Sequence, residues 1–497
     1  GRPAARPPMQ ARVAKTAMME RSPIQEPAVR TFLRRFLFTL AALGAVLALF
    51  HLVENVRGRR AWEARKAAQE ALGMRYDLAS YAPPPVADAD NFALAPCLAA
   101  AVAGRSDAES WTLPGVFVDA ATAGDWKAGR QLDPGAGAEV RKGQDLEAFL
   151  APFDTRLEAL AEAARRPGCR LPIDYGQPEV VPALLAMRAR MRVLRLRALA
   201  RLQAGRGEAA LEDVLTGLRM VQHLQREPHL ISQLLRAAWA GMVLQPVWEG
   251  LQGRVWNDAQ LARLEAALAP LDLLGSLRLA WRYERAMALT SLGRAAQDPG
   301  LLPTLMQTEA PAPGRGRRLA FAATVPKGWV AQNQAALDRL YAEGLDGPID
   351  VAGHRIDARA VDRCTAALQV RRSPYTFVAL MMVPALSGQQ SRVARIASGL
   401  DQARVACALE RCRLARKAYP ETLPELAPAF LPQVPHDLVT GAPLRYARTG
   451  EGFRLHSVGW NGTDEGGSRA KEPTAGDWVW SSGEPRPPVL RRGAGPR

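Results

Sequence analysis

Phe36 to Val53, FLFTLAALGAVLALFHLV, is the stretch whose reading decides the fold: eighteen residues without a formal charge, bounded by Arg34-Arg35 and Glu54. As a helix rising about 1.5 Å per residue it reaches about 27 Å, close to the roughly 30 Å hydrocarbon core of a bilayer, and the flanking arginines can return their charged heads to the lipid headgroups. A cleaved signal peptide would carry an apolar segment of about 7–15 residues and an A-x-A-like site. This run is longer and continues into His51-Leu52-Val53-Glu54-Asn55-Val56-Arg57. The sequence therefore reads as an uncleaved single-pass anchor, ahead of a signal peptide or a buried helix of a soluble domain.

Orientation is less sharply written. Arg21, Arg30, Arg34 and Arg35 precede the run, and Arg57, Arg59, Arg60, Arg65 and Lys66 follow it, so the bias of basic residues toward the cytoplasmic side does not choose between the two. Long polar domains cross membranes largely regardless of charge, and the expectation is a short tail inside and the bulk of the chain periplasmic. Residues 1–17 read as an upstream translation artefact or a disordered tail.

The net charge of +16 is carried by arginines scattered through Ala-, Pro- and Gly-rich sequence with only seven lysines. No compact basic stripe interleaved with aromatics appears, which excludes nucleic acid as the expected partner and leaves the 57–66 segment as a point of attraction to anionic lipid. Five cysteines, Cys97, Cys169, Cys364, Cys407 and Cys412, give no disulfide framework. Cys407 and Cys412, five apart on one helix, face different directions and form neither a bridge nor a metal clamp.

Outward from the anchor, Arg57 to Met74 continues it as a charged stalk helix, ended at Tyr81-Ala82-Pro83-Pro84-Pro85. Residues 86–140 read as a loop-rich connector packed through Asn91-Phe92, Trp111 and Trp126. A helix is expected over Asp145–Ala164. Leu184, Met187, Met191, Leu194, Ala198 and Leu202 then form one helical stripe, Gly205-Arg206-Gly207 turns the chain, and Ala210, Val214, Leu218 and Val221 stripe a second helix, making a helical hairpin. Further helices follow at Leu230–Leu251, from the Asn257-Asp258 cap, and around Leu277–Leu292, and they resume near Asn333 and Ile356 after a loop at 297–318 rich in Pro, Gly and Arg. Phe377–Leu386, interrupted by a proline, is too short to span and reads as buried core. A helix from Gly388 to Lys417 ends at Tyr419-Pro420. Leu444–Ala447 and Phe453–Val458 then form a β-hairpin, with Trp478-Val479-Trp480 as a third strand.

Several of these motifs carry a resemblance. AYPETLPELAPAFLPQVPHDLVTGAPLRY, then GFRLHSVGWNGTDEGG and GDWVW, together with the Ala-Pro-Pro-Pro-Val and Asn91-Phe92 segment, resemble an uncharacterised family of bacterial membrane-anchored proteins. The hairpin of LARLQAGRGEAALEDVLTGLRMVQHLQREP also loosely resembles one tetratricopeptide unit, without a second copy at a 34-residue period, so a solenoid is not expected. The C-terminal portion is similar to the globular domain of type II secretion pseudopilins: a long helix, Tyr419-Pro420, an Asp437-x-x-x-Gly441-x-Pro443 stretch, a β-hairpin and a Ser457-x-Gly459-x-x-Gly462 loop. Some 330 residues separate this module from the anchor, unlike the direct connection in pseudopilins. The resemblance implies a calcium site at Asp464 and Glu465, with Asp477 and loop carbonyls; the same residues also read as a solvated turn in which Gly466 and Gly467 supply positive φ.

No His-Glu-x-x-His, Gly-x-Ser-x-Gly, phosphate-cradling loop or Cys-x-x-Cys occurs. His51, His223, His229, His354, His436 and His456 read as structural or surface residues, and His436-Asp437 is an adjacent pair without a nucleophile. The expected architecture is mainly α: a disordered basic tail (1–35), a transmembrane helix (36–53), a stalk and connector (54–140), a helical-hairpin domain (141–388), a pseudopilin-like α+β module with an antiparallel hairpin (389–485) and a disordered tail (486–497). The expected role is a non-enzymatic envelope scaffold that binds the bilayer and a protein partner. The alternatives are a pseudopilin-like secretion-system component or a membrane-anchored enzyme whose site is assembled from distant residues.

Overall fold

Helix α1 (Glu26–Ala71) is a single helix of 46 residues, about 69 Å long at helical rise. The computed structural model describes residues 26–103, 111, 146–177, 184, 187–297, 316, 325–368, 373–382, 388–470 and 474–483. Residues 1–25 of the expected tail (1–35), the tail at 486–497, Trp126, most of the 297–318 loop and residues 383–387 lie outside them, and residues 26–35, expected as tail, already belong to α1. From Arg30 to Phe50 every side chain of α1 is exposed, and Glu54 is the first to be buried. Among the described residues, α1 alone is long and apolar enough to cross a membrane. The stalk continues the helix as expected but stops at Ala71, twelve residues before Pro83. Gly73, at φ +80°, takes the left-handed cap position, with Met74 N–H donating to the Gln69 carbonyl and Gly73 N–H to that of Glu70, a Schellman ending that needs no proline.

The described part of the connector, with the turn before it, is made of short 3₁₀ turns, Leu78–Tyr81, Asp88–Asp90, Phe92–Leu94 and Pro96–Leu98, then α2 (Ala99–Val102). Asn91, Phe92 and Trp111 are buried as expected. The helix foreseen at 145–164 is divided into α3 (Leu146–Leu150) and α4 (Asp154–Ala163) by a 3₁₀ turn containing Pro152, because proline removes one hydrogen bond and crowds the preceding turn. α5 (Met187–Gln203) and α6 (Gly207–His223) pack on each other across the Gly205 turn. α7 (Leu230–Gln252) runs through the buried Pro246. α8 (Asp258–Leu268) opens with a full capping box between Asn257 and Gln260, which satisfies two N–H groups the first turn would leave orphaned.

α9 (Leu273–Gln297) and α10 (Lys327–Gly344) pack together, and α10 also lies along α1. A two-stranded ribbon, β1 (Ile349–Asp350) with β2 (Arg355–Ile356), precedes α11 (Ala358–Leu368) and α12 (Phe377–Met382); the sequence reading had no ribbon here. α12 corrects another expectation: Ala379 is buried, but Phe377 and Met381 are exposed, so the apolar patch is not wholly core. α13 (Gln389–Arg416) is buried against α7, α8 and α9. β3 (Arg445–Thr449), β4 (Gly452–Ser457) and β5 (Trp478–Ser482) form an antiparallel sheet in that order, with Tyr446 opposite Leu455 and Leu455 opposite Trp480. One continuous apolar cluster runs from Phe92 to Trp480 and includes Trp239, Trp281 and Cys407. All five cysteines are free.

Candidate functional site

The C-terminal sheet brings three potential ligands together. His456 on β4 stands opposite Arg445 on β3, Asp477 immediately precedes β5, and the loop after Trp460 carries Asp464 back over the sheet. His456 Nε2 lies 3.1 Å from Asp464 Oδ1 and 3.9 Å from Asp477 Oδ2; all three ligand atoms fall within 4.8 Å of one another. Asp464 and Asp477 are thus joined, by His456 rather than by Glu465. The Glu465 carboxylate accepts a hydrogen bond from Asn461 Nδ2 at 2.8 Å and takes no part in the cluster.

The carboxylate oxygens here already have donors. Asp477 is buried and accepts the backbone N–H of Glu465 at 3.1 Å and of Gly467 at 2.6 Å. Asp464 accepts from Gly466 N–H at 3.0 Å and from Arg445 Nε at 2.9 Å. The Gly466 N–H, then His456 and Arg445, pull the Asp464 carboxyl down to about 2. Gly466 and Gly467 have φ of +69° and +81°, so the loop has the geometry of the polar turn. Calcium takes about 6–8 oxygens; the arrangement here is two carboxylates, one imidazole and an adjacent guanidinium. The residues that could hold an ion are His456, Asp464 and Asp477, a donor set suited to an imidazole-binding transition metal, which would have to displace Arg445.

The His436-Asp437 pair separates. His436 Nε2–H donates to the Gly353 carbonyl at 3.1 Å. Asp437 is buried and accepts the N–H groups of Val439, Thr440 and Val458 at 2.8–2.9 Å. It ties the turn to the end of β4. Its signal was the Asp-x-x-x-Gly spacing, since Asp side chains readily accept from the backbone two or three residues on.

A second polar cluster has no motif. Glu227 accepts from Tyr175 Oη at 2.8 Å and from His229 Nδ1 at 2.6 Å, while Tyr283 Oη, 3.4 Å from His229 Nε2, donates to the Tyr175 carbonyl at 3.0 Å. All four side chains are buried, and burial pushes the Tyr283 phenol up to about 12. The imidazole is oriented by a carboxylate and its two nitrogens face Glu227 and Tyr283, so the cluster ties the turn at Tyr175 to the start of α7 and to α9. His354 Nε2 pairs with Asp401 at 3.0 Å, and that hydrogen bond raises the imidazole pKa.

No family model, curated protein or solved structure matches the chain.

Proposed function

We propose that the chain is a single-pass protein of the bacterial cytoplasmic membrane, with α1 across the bilayer and a helical-hairpin body held at its periplasmic surface as a non-enzymatic scaffold for a protein partner. One observation carries this reading: the exposed apolar side chains of α1, among them Phe38, Leu43, Val46 and Leu49, surround the helix on all sides, and burial begins only at Glu54. A helix apolar all round needs either a core or lipid, and nothing among the described residues covers this one.

The exit point supports the same reading. Phe50 meets Trp329 edge-on at 6.2 Å, Trp329 meets Tyr375 at 6.1 Å, and Arg57 lies 5.4 Å from the Tyr375 ring. Exposed Phe377 and Met381 follow on α12. Aromatic rings gather where a chain leaves the hydrocarbon, and this collar would rest the body on the headgroups. The non-enzymatic part of the proposal is supported by the Glu227 cluster, whose carboxylate accepts from both Tyr175 and His229; at the C-terminal cluster His456 Nδ1 is buried without a partner. The succession of α13, Tyr419-Pro420 and a three-stranded antiparallel sheet favours a second reading, a secretion-system component built around a pseudopilin-like head.

Reporter fusions at the C-terminus test the orientation: activity of a reporter that works only in the periplasm agrees with the proposal, and activity of a cytoplasm-only reporter contradicts it. Purification from detergent-solubilised membranes tests the scaffold role, which requires a partner recovered in stoichiometric amount and lost when the body, but not α1, is replaced.

A further inference from the structure

A cavity of about 570 Å³ opens between the segment at Pro83–Val86, the turn after α4, the end of α6 with the residues just after it, and the turn from α8 to α9. Its lining mixes two chemistries. Pro83, Pro84, Val86, Pro167 and Pro270 are apolar. Arg165, Arg166, Arg219 and Arg226 add guanidinium groups and Gln222 and Gln225 add amides, and no carboxylate among the described residues lines it.

Four guanidinium groups around one cavity repel one another unless something neutralises them, and the local compensation is partial. Arg165 pairs with Glu162 at 2.7 Å. Arg166 Nη1 donates to the carbonyls of Asp88 and Asn91 at 3.2 and 2.9 Å, which occupies that nitrogen without cancelling the charge. Arg219 Nη1 is buried without a hydrogen-bond partner, and Arg226 has no ion pair among the described residues. The C-terminal ends of α4 and α6 contribute about half a negative charge each. Together with Glu162 they leave a clear positive excess.

We propose that this cavity binds an organic phosphate, with Arg219 and Arg226 as the principal phosphate ligands and the lining prolines against the ligand's non-polar part. Guanidinium pairs match the geometry of phosphate oxygens two at a time, and the volume lies in the range of sites that enclose a small organic molecule. The site is built to hold rather than to react. Cys169, also in the lining, has its thiol pushed up to about 12 by burial and then by Glu227. His223 is held by donating Nε2–H to the Ala164 carbonyl at 3.0 Å and by stacking on Phe92 at 4.3 Å.

The test is calorimetric titration of the full-length protein in non-ionic detergent with inorganic phosphate, with adenosine monophosphate, and with micelles doped with phosphatidic acid. Saturable binding of one of the two organic phosphates, tighter than inorganic phosphate and weakened about tenfold by Arg219→Gln and by Arg226→Gln, is the expected result. Which of the two binds tells whether the phosphate belongs to a soluble molecule or a lipid headgroup. Arg263→Gln, at an exposed arginine paired with Glu208 and Glu212, should leave binding unchanged. Circular dichroism confirms that each variant is folded. Absence of binding to all three probes, or equal binding by the folded Arg219→Gln and Arg226→Gln variants, overturns the proposal.

Discussion

Gly58 of α1 and Gly328 of α10 meet main chain to main chain. A Cβ on Gly58 would overlap the Gly328 carbonyl, and one on Gly328 would overlap the carbonyl of Glu54. The contact is fixed on both sides, by Gly328 N–H donating to Asn55 Oδ1 at 2.7 Å and by Trp329 Nε1 donating to Glu54 at 3.0 Å. This is where the apolar helix becomes part of the body. Gly58→Leu or Gly328→Leu should therefore destabilise by about 1–3 kcal/mol or more through overpacking. Gly44→Leu, at a position with open space around it, should not. The thermal midpoint of the full chain in detergent separates the two outcomes.

Asp338 is fully buried and accepts from Arg65 Nε, Arg285 Nε and Tyr76 Oη, each at 2.7 Å. Arg285 also reaches Gln69 on α1, so one carboxylate joins α1, α9 and α10. Asp338→Ala removes the acceptor shared by Arg65 and the buried Arg285, leaving Arg285 with Asp346 and Gln69, and should cost about 1–3 kcal/mol. Limited proteolysis should then cut between α1 and α10 first; an unchanged digestion pattern would speak against this junction.

Glu284 on α9 has its carboxyl raised from 4.5 to about 7 by burial. The folded chain thus holds this proton more tightly than the unfolded chain. Its contribution is fully present below about pH 4.5 and is lost as pH rises through 7, amounting to the order of 1–3 kcal/mol. Glu284→Gln should flatten the stability–pH curve between those limits, which denaturant titrations at several pH values would measure.

Asp477 supplies the acceptor for the backbone N–H groups of Glu465 and Gly467. Asp477→Ala should lower stability by about 1–3 kcal/mol by leaving those donors unmet, whereas Glu465→Ala, whose carboxylate faces Asn461, should be near neutral. Because nitrogen donors occupy the oxygens of Asp464 and Asp477, calcium and chelator should each leave the wild-type thermal midpoint unmoved. A calcium-dependent rise lost in Asp477→Ala would restore the ion site.

The elements with strong local signals were legible in the sequence: the apolar run of α1, the stripe and glycine turn joining α5 to α6, the Asn257 cap of α8, and the strands around Gly450 and Gly452. What sequence could not show were consequences of tertiary packing. Pro246 stays inside α7, while Pro152 interrupts its helix. The β1–β2 ribbon is too short to show alternation. Asp338 carries no local signal, since its donors Arg65, Tyr76 and Arg285 come from distant segments, and the cavity arginines come from segments more than fifty residues apart. At the C-terminal cluster, the positive φ expected of Gly466 and Gly467 is present, but neither the place of His456 beside them nor the outward turn of Glu465 could be read from spacing.

Alkaline carbonate extraction of membranes containing the full-length chain is the most direct measurement of the central claim. An α1 threaded through lipid keeps the protein in the pellet, and replacing Leu43 and Leu47 with arginine should release it. Recovery of the unaltered chain in the aqueous fraction would contradict the account.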